Sequence, residues 1–261
     1  MGFCYQKSFL KPTMPIDEAG FYTLVRDKEW NDVIDRFRQT GDTALKRKLP
    51  AFIFQATFDE TASKKGVTDH WRKQAATRLT GLVVMDIDHV ESEELRMKSE
   101  EFAAADFPQK AKELGILLIY ITPSGKGLKI VFKADAEKGN LIDNQHAMAK
   151  VLGVEVDESC KDASRMSFIC KESDILYLDE ELFTYENKLF AEKYEAEYRA
   201  GNSQPTTPSR PPRGEEKESK VSPRGDLEGV ALWAFSGLLD GSNTQEGFVP
   251  PVFDLQKENE Y

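Results

Sequence analysis

The chain has 261 residues, enough for one sizeable domain with extensions or for two small ones. Its 40% hydrophobic and 10% aromatic content excludes a wholly disordered protein. The formal net charge of -10 argues against indiscriminate nucleic-acid binding, though a local basic groove remains compatible with it. Cys4, Cys160 and Cys170 form no CxxC pair, so neither a disulfide framework nor a structural zinc site is expected. No apolar run approaches the roughly 20 residues a membrane span needs, and the N-terminus lacks a long apolar leader segment. Gln6 breaks the myristoylation pattern that Met-Gly would begin. A cytoplasmic protein without a membrane partner is the expectation.

In chain order, residues 15–48 read as helical pieces. Residues 16–27 are the weaker piece, while 29–37 place Trp30, Val33, Ile34 and Phe37 on one face. Gly41 should stop that helix, with Asp42 or Thr43 capping a short basic one that ends at Pro50. Residues 51–58, AFIFQATF, alternate like a strand, and 59–78 form a polar stretch carrying Lys64, Lys65, Arg72, Lys73 and Arg78. Leu82 to Met85 run into Asp86-Ile87-Asp88, a strand buried on both faces. Residues 91–114 have helical spacing interrupted by Pro108, and Ile116–Ile121 is a second buried strand. A turn over 122–127 returns the chain as a strand over 128–132; a helix over 142–152 and a short strand over 166–170 follow. The alternation predicts an α+β domain, a mixed or antiparallel sheet packed by helices on one face. Residues 187–200 read as a charged helix with a thin stripe of Leu189, Phe190 and Tyr194. Residues 201–226, rich in Pro, Ser and charge, read as a disordered linker, and 227–261 as a segment too short for its own core.

Three features carry chemistry. Asp86 and Asp88 alternate with Ile87, so both carboxylates point the same way and repel unless a hard cation sits between them. The plain alternative is that Asp88 caps the following helix. Ser124-Gly125-Lys126-Gly127 is a glycine turn whose amides could face a phosphate, with Lys126 and Lys129 adding positive charge. Asp157 lies beside a later strand as a third acid. The phosphate-loop signature GxxxxGK[ST] is absent, so this is not a P-loop ATPase.

LVVMDID, TPSGKGLKIVF and VDESCKDASRMSF, in that order, resemble the archaeo-eukaryotic primase superfamily. More narrowly, they are similar to the VirE N-terminal domain family of bacterial mobile-element proteins. The likeness covers roughly residues 45–180. It implies an RRM-like, primase-type catalytic core over 46–186, preceded by a helical extension over 1–45. It also implies two Mg²⁺ or Mn²⁺ ions on Asp86, Asp88 and Asp157, with Asp162 as the lower-ranked third acid. Ser124 and Lys129 fall where such primases carry Ser-x-His, and Arg165 follows the third acid as a phosphate contact. Lys129 departs from that pattern, offering a flexible point charge in place of an imidazole.

The implied activity is a nucleotidyltransferase of primase or polymerase type. The metals would orient a 3′-hydroxyl and the α-phosphate of a nucleoside triphosphate on a single-stranded DNA template. Pyrophosphate would leave towards Ser124, Lys126 and Lys129, template would follow the basic residues from Lys46 to Arg78, and a separate helicase would be the partner. One competing reading is a catalytically inactive DNA- or nucleotide-binding module, favoured by Lys129. Others are a metal-dependent nicking enzyme, for which Tyr120 and the scattered His70, His89 and His146 are a poor set, and a domain with no such site at all.

Overall fold

The computed structural model describes residues 2–88, 107–154 and 161–201, and the architecture is that of these residues. Two strands open the chain, β1 (Phe3–Gln6) and β2 (Thr13–Ile16), followed by helices α1 (Glu18–Arg26), α2 (Lys28–Thr40) and α3 (Thr43–Lys46). Strands β3 (Ala51–Ile53), β4 (Ala56–Phe58), β5 (Thr61–Ala62), β6 (Thr68–Asp69) and β7 (Thr77–Leu79) lead into β8 (Leu82–Asp88). Then come α4 (Phe107–Glu113), β9 (Ile116–Ile121), β10 (Gly127–Lys133) and α5 (Leu141–Leu152). The last described elements are β11 (Ser167–Phe168), β12 (Ile175–Leu178) and α6 (Lys188–Ala200).

These strands form two four-stranded sheets, β11-β3-β1-β2 and β12-β9-β10-β8, and two small ladders, β4-β7 and β5-β6. Every described ladder is antiparallel. The α+β class expected from the sequence is therefore observed. The expected one-sided packing is corrected. Leu82, Val84, Leu118, Tyr120 and Val131 join a core with Phe21, Val25 and Ile34 of α1 and α2. Val83, Met85, Ile87, Ile119 and Ile130 join another with residues of α4, α5 and α6. Helices cover both faces because the β8 and β9 runs are apolar on both.

Local chemistry sets the boundaries. Asp27 ends α1 and also caps α2 by accepting from the Glu29 amide at 2.8 Å, which divides the two helical pieces. Gly41, at φ 68°, stops α2 as expected, and Asp42 rather than Thr43 caps α3. The helical reading of the N-terminus missed β1 and β2. β2 is an edge strand, where the missing N–H of Pro15 is tolerated. The 51–58 strand is broken at Phe54-Gln55 into β3 and β4, which pair in different sheets. Within the polar 59–78 stretch lie β5, β6 and β7, and β12 was not anticipated either. Of the helix expected over 91–114, Phe107–Glu113 is observed, with Pro108 in its first turn rather than interrupting it, and 91–106 lie outside the described residues. Helix α6 buries Phe190, Tyr194 and Tyr198 while Leu189 stays exposed, shifting the expected stripe by its outer member. The linker and C-terminal segment expected beyond residue 201 lie outside the described residues.

Strand β8 lies at an edge of its sheet, where unpaired backbone groups invite further pairing. Two buried glutamines close that edge at Val84. Its N–H donates to Gln55 Oε1 at 2.9 Å, and its carbonyl accepts from Gln145 Nε2 at 2.9 Å. The acidic end of β8 is thereby held in place from outside the sheet.

Candidate functional site: a cationic cleft

Register places the first acid. In the β8–β10 ladder Asp86 stands opposite Lys129, and in the β9–β10 ladder Lys129 stands opposite Tyr120. The three side chains therefore form a row across one face, continuing the Leu82-Val84 side of β8. Asp86 and Lys129 are both buried, at 8% and 5% exposure, and their charged groups form a direct ion pair. Arg165 Nη2 approaches the other Asp86 oxygen at 3.4 Å. Tyr120 is wholly buried and donates to the Phe168 carbonyl at 3.2 Å. Burial, with the nearby Cys170 and Asp86, pushes its phenol well above the usual range.

The turn beside this row is tight. Thr122 N–H donates to the Gly127 carbonyl at 2.8 Å, Gly125 N–H to the Thr122 carbonyl at 2.9 Å, and Lys126 N–H to Ser124 Oγ at 3.3 Å. Gly125, at φ 72°, makes the left-handed step. Those three amides are thus engaged in closing the hairpin. What the turn offers a ligand is the Ser124 hydroxyl, the exposed Lys126 and the direction in which Lys129 leaves it. Arg38 of α2 clamps the turn from behind, donating to the Pro123 carbonyl at 3.2 Å and the Thr122 carbonyl at 3.3 Å. It also makes a 2.7 Å ion pair with the wholly buried Asp174.

Asp86, Lys129 and the turn wall a cleft of about 450 Å³. Four cationic side chains line it, Lys46, Arg72, Lys129 and Arg165, against two acids, Asp86 and Asp162. Arg72 is braced by Ser164, through its carbonyl at 3.2 Å and its hydroxyl at 3.3 Å. Asp162 is engaged in the same loop, its carboxylate accepting from Ser164 N–H and Ser164 Oγ, both at 2.8 Å. Gln55, already bonded to β8, donates to the Asp162 carbonyl at 3.0 Å and so ties this loop to the Asp86 strand. Phe9 and Phe168 complete the wall.

The predicted residues are thus partly assembled. Asp86, Ser124, Lys129, Arg165 and the lower-ranked Asp162 meet at the cleft, with Gly125 and Lys126 in its turn. Asp88 ends β8 opposite Gly127, its side chain outside the described residues, as is all of Asp157. Arg78 is elsewhere, paired with Asp59 at 2.8 Å and Glu195 at 3.0 Å in a groove beside α6. There the Arg78 guanidinium holds the Asp59 carboxyl below its ordinary range, helped by Arg199. Among the described residues no group of three His, Cys, Asp or Glu is arranged to hold a metal. Lys129 and Arg165 already neutralise Asp86, and the Ser164 bonds engage Asp162. Of the acids predicted to hold metal, the side chains of Asp86 and Asp162 are described, and both are already engaged.

Sequence reasoning missed four contributors. Gln55 left a signal, a polar residue inside an apolar strand run, and Phe9 another, an aromatic in a polar turn. Arg38 and Phe168 left none, because their roles depend on contacts with segments distant in the chain.

An antiparallel α+β domain with a cationic cleft at the end of its central strands is the class that fold and site define. A family model described as BT4734-like, N-terminal domain, matches residues 44–177, just over half of the chain, and the chain belongs to that family. This corrects the resemblance to the VirE N-terminal family drawn from the motifs. Paired acids at a strand end and a glycine turn are local solutions open to more than one family, and they did not discriminate. The match includes Lys46, Gln55, Arg72, Asp86, Lys129 and Arg165 but not Phe9. No curated protein and no solved structure matches the chain.

Proposed function

We propose that the domain binds single-stranded nucleic acid, holding backbone phosphates on Lys46, Arg72 and Arg165, with Lys129 occupying Asp86 in place of a catalytic metal pair. The observation that carries this reading is the ion pair between Asp86 and Lys129, with Arg165 beside it. In the position where a two-metal enzyme would gather cations, this chain supplies its own. Charge segregation supports it further. Segments 2–13, 43–51 and 122–132 carry seven Lys and Arg residues and no Asp or Glu, in a chain of net charge -10. Such a local positive field attracts a polyanion despite the acidic whole. An RRM-like core of primase type is the finer fold reading that goes with this proposal.

Nucleotidyl transfer is the second reading, favoured by one observation: Asp86 and Asp88 stand opposite Lys129 and Gly127 beside the hairpin. It requires Asp86 to exchange its lysine for a metal. The two readings separate in one experiment. A labelled single-stranded oligonucleotide is titrated with the full chain in EDTA, followed by anisotropy, and nucleotide incorporation is assayed in Mn²⁺. Binding in EDTA that weakens in an Arg72→Ala/Lys46→Ala variant, with no incorporation, is expected. Binding that appears only with metal, or incorporation abolished by Asp86→Asn, would refute it.

A further inference from the structure

Beyond its cations, the cleft has an aromatic side. Phe9 sits in the β1–β2 turn, closed by a 3.0 Å bond from Lys11 N–H to the Ser8 carbonyl, and is 51% exposed. Its ring lies 6.5 Å from that of Phe168, centroid to centroid, at 71°. Lys46 Nζ stands 5.6 Å from the centroid of the Phe168 ring. All three side chains line the cleft that holds Arg72 and Arg165. The contrast with Phe3, Phe21, Phe52 and Phe54 is informative: those rings are packed together in the core, at 0–1% exposure. The Phe9 turn is also tied to the arginine side. Thr13, at its exit, donates through N–H and hydroxyl to the His70 carbonyl, both at 2.8 Å, two residues before Arg72.

We infer that Phe9, Phe168 and Lys46 form a nucleobase shelf. On it a base stacks against the exposed Phe9 ring while the adjoining phosphate lies on Arg72 and Arg165. An exposed aromatic bordering bound cations suits a ligand that is planar and apolar on one side and anionic on the other, which is a nucleotide unit of a single strand. Every base has a π-face, so the shelf accepts bases with little regard to sequence. The inference rests on the phosphate-binding reading and names what that reading leaves open, the contribution of the bases.

The test compares oligothymidylate with an abasic strand of equal length and charge, each titrated with the full chain and with Phe9→Ala and Phe9→Tyr variants. Phe9 lies in a solvent-facing turn, so its truncation leaves the fold intact, which circular dichroism checks. The wild-type chain should prefer the base-bearing strand. Phe9→Ala should lose about five- to tenfold on that strand, the low end for a half-exposed ring, and nothing on the abasic one. Phe9→Tyr should retain wild-type affinity. Equal effects of Phe9→Ala on both strands, or none on either, would overturn the shelf while leaving the phosphate site standing. Failure of the wild-type chain to bind either strand would overturn both.

Discussion

Removing Lys129 tests whether a resident cation governs the Asp86 end of the cleft. The two side chains are 6% and 11% exposed, so Lys129→Met would take its nearest described cation from a buried carboxylate, leaving Arg165 at 3.4 Å. Breaking a buried pair from one side costs about 3–5 kcal/mol. Because Arg165 stays, the expected loss is about 2–3 kcal/mol, a fall in Tm of about 5–10 °C for a domain of this size. The double variant Lys129→Met/Asp86→Leu removes both buried charges, and Arg165, a third exposed, turns to water. It should lie within about 1 kcal/mol of wild type, giving a coupling energy of about 2 kcal/mol or more. Urea unfolding followed by circular dichroism reads all four corners of the cycle. Additivity within about 0.5 kcal/mol would refute the claim that the two groups neutralise one another.

Other consequences follow from the same contacts. Arg38→Met should destabilise by about 3 kcal/mol, because the buried Asp174 loses the Arg38 guanidinium, and should also loosen the 122–127 turn; urea melts and amide exchange at Gly125 report the two effects. Gln55→Leu should cost about 2–3 kcal/mol in the same melts, since it strips the Val84 N–H and the Asp162 carbonyl of their partner. Burial raises the Cys4 thiol to about 12 and pushes Cys170 well up, so both stay protonated in the fold while unfolded thiols ionise. Stability should be flat up to about pH 8.5 and then fall, by about 1.4 kcal/mol per thiol at pH 9.5, as denaturant titrations at the two pH values would show. Arg78→Ala should leave nucleic-acid affinity unchanged, because Arg78 faces α6 and Asp59; an affinity loss would mean that the ligand reaches beyond the cleft.

How far the sequence foretold this domain varied with the range of the interactions. Strands β8, β9 and β10 and helix α5 were legible because apolar runs, glycine turns and caps are local signals. Asn140 caps α5 and Gly153 closes it, both readable in a single stretch. Strand β12 was not legible, since its partner β9 lies far along the chain, whereas β1 and β2 pair with each other as a local hairpin that the helical reading overlooked. The cleft was half legible. Motif order brought Asp86, Ser124, Lys129 and Arg165 together, and the structure does the same. Register sets Lys129 directly across from Asp86, a relation that spacing along the chain does not reveal. Arg78 illustrates the reverse error: a basic residue close in sequence to the acidic strand is turned away by Asp59 and Glu195.

The most direct test of the cleft as a metal-independent phosphate site is the salt dependence of single-strand binding in EDTA. Three lining cations, Lys46, Arg72 and Arg165, predict a slope of log affinity against log salt of about -2, falling in size by about 0.7 in each of Lys46→Ala and Arg72→Ala. A slope that neither variant changes, or affinity that appears only when Mg²⁺ is restored, would contradict it.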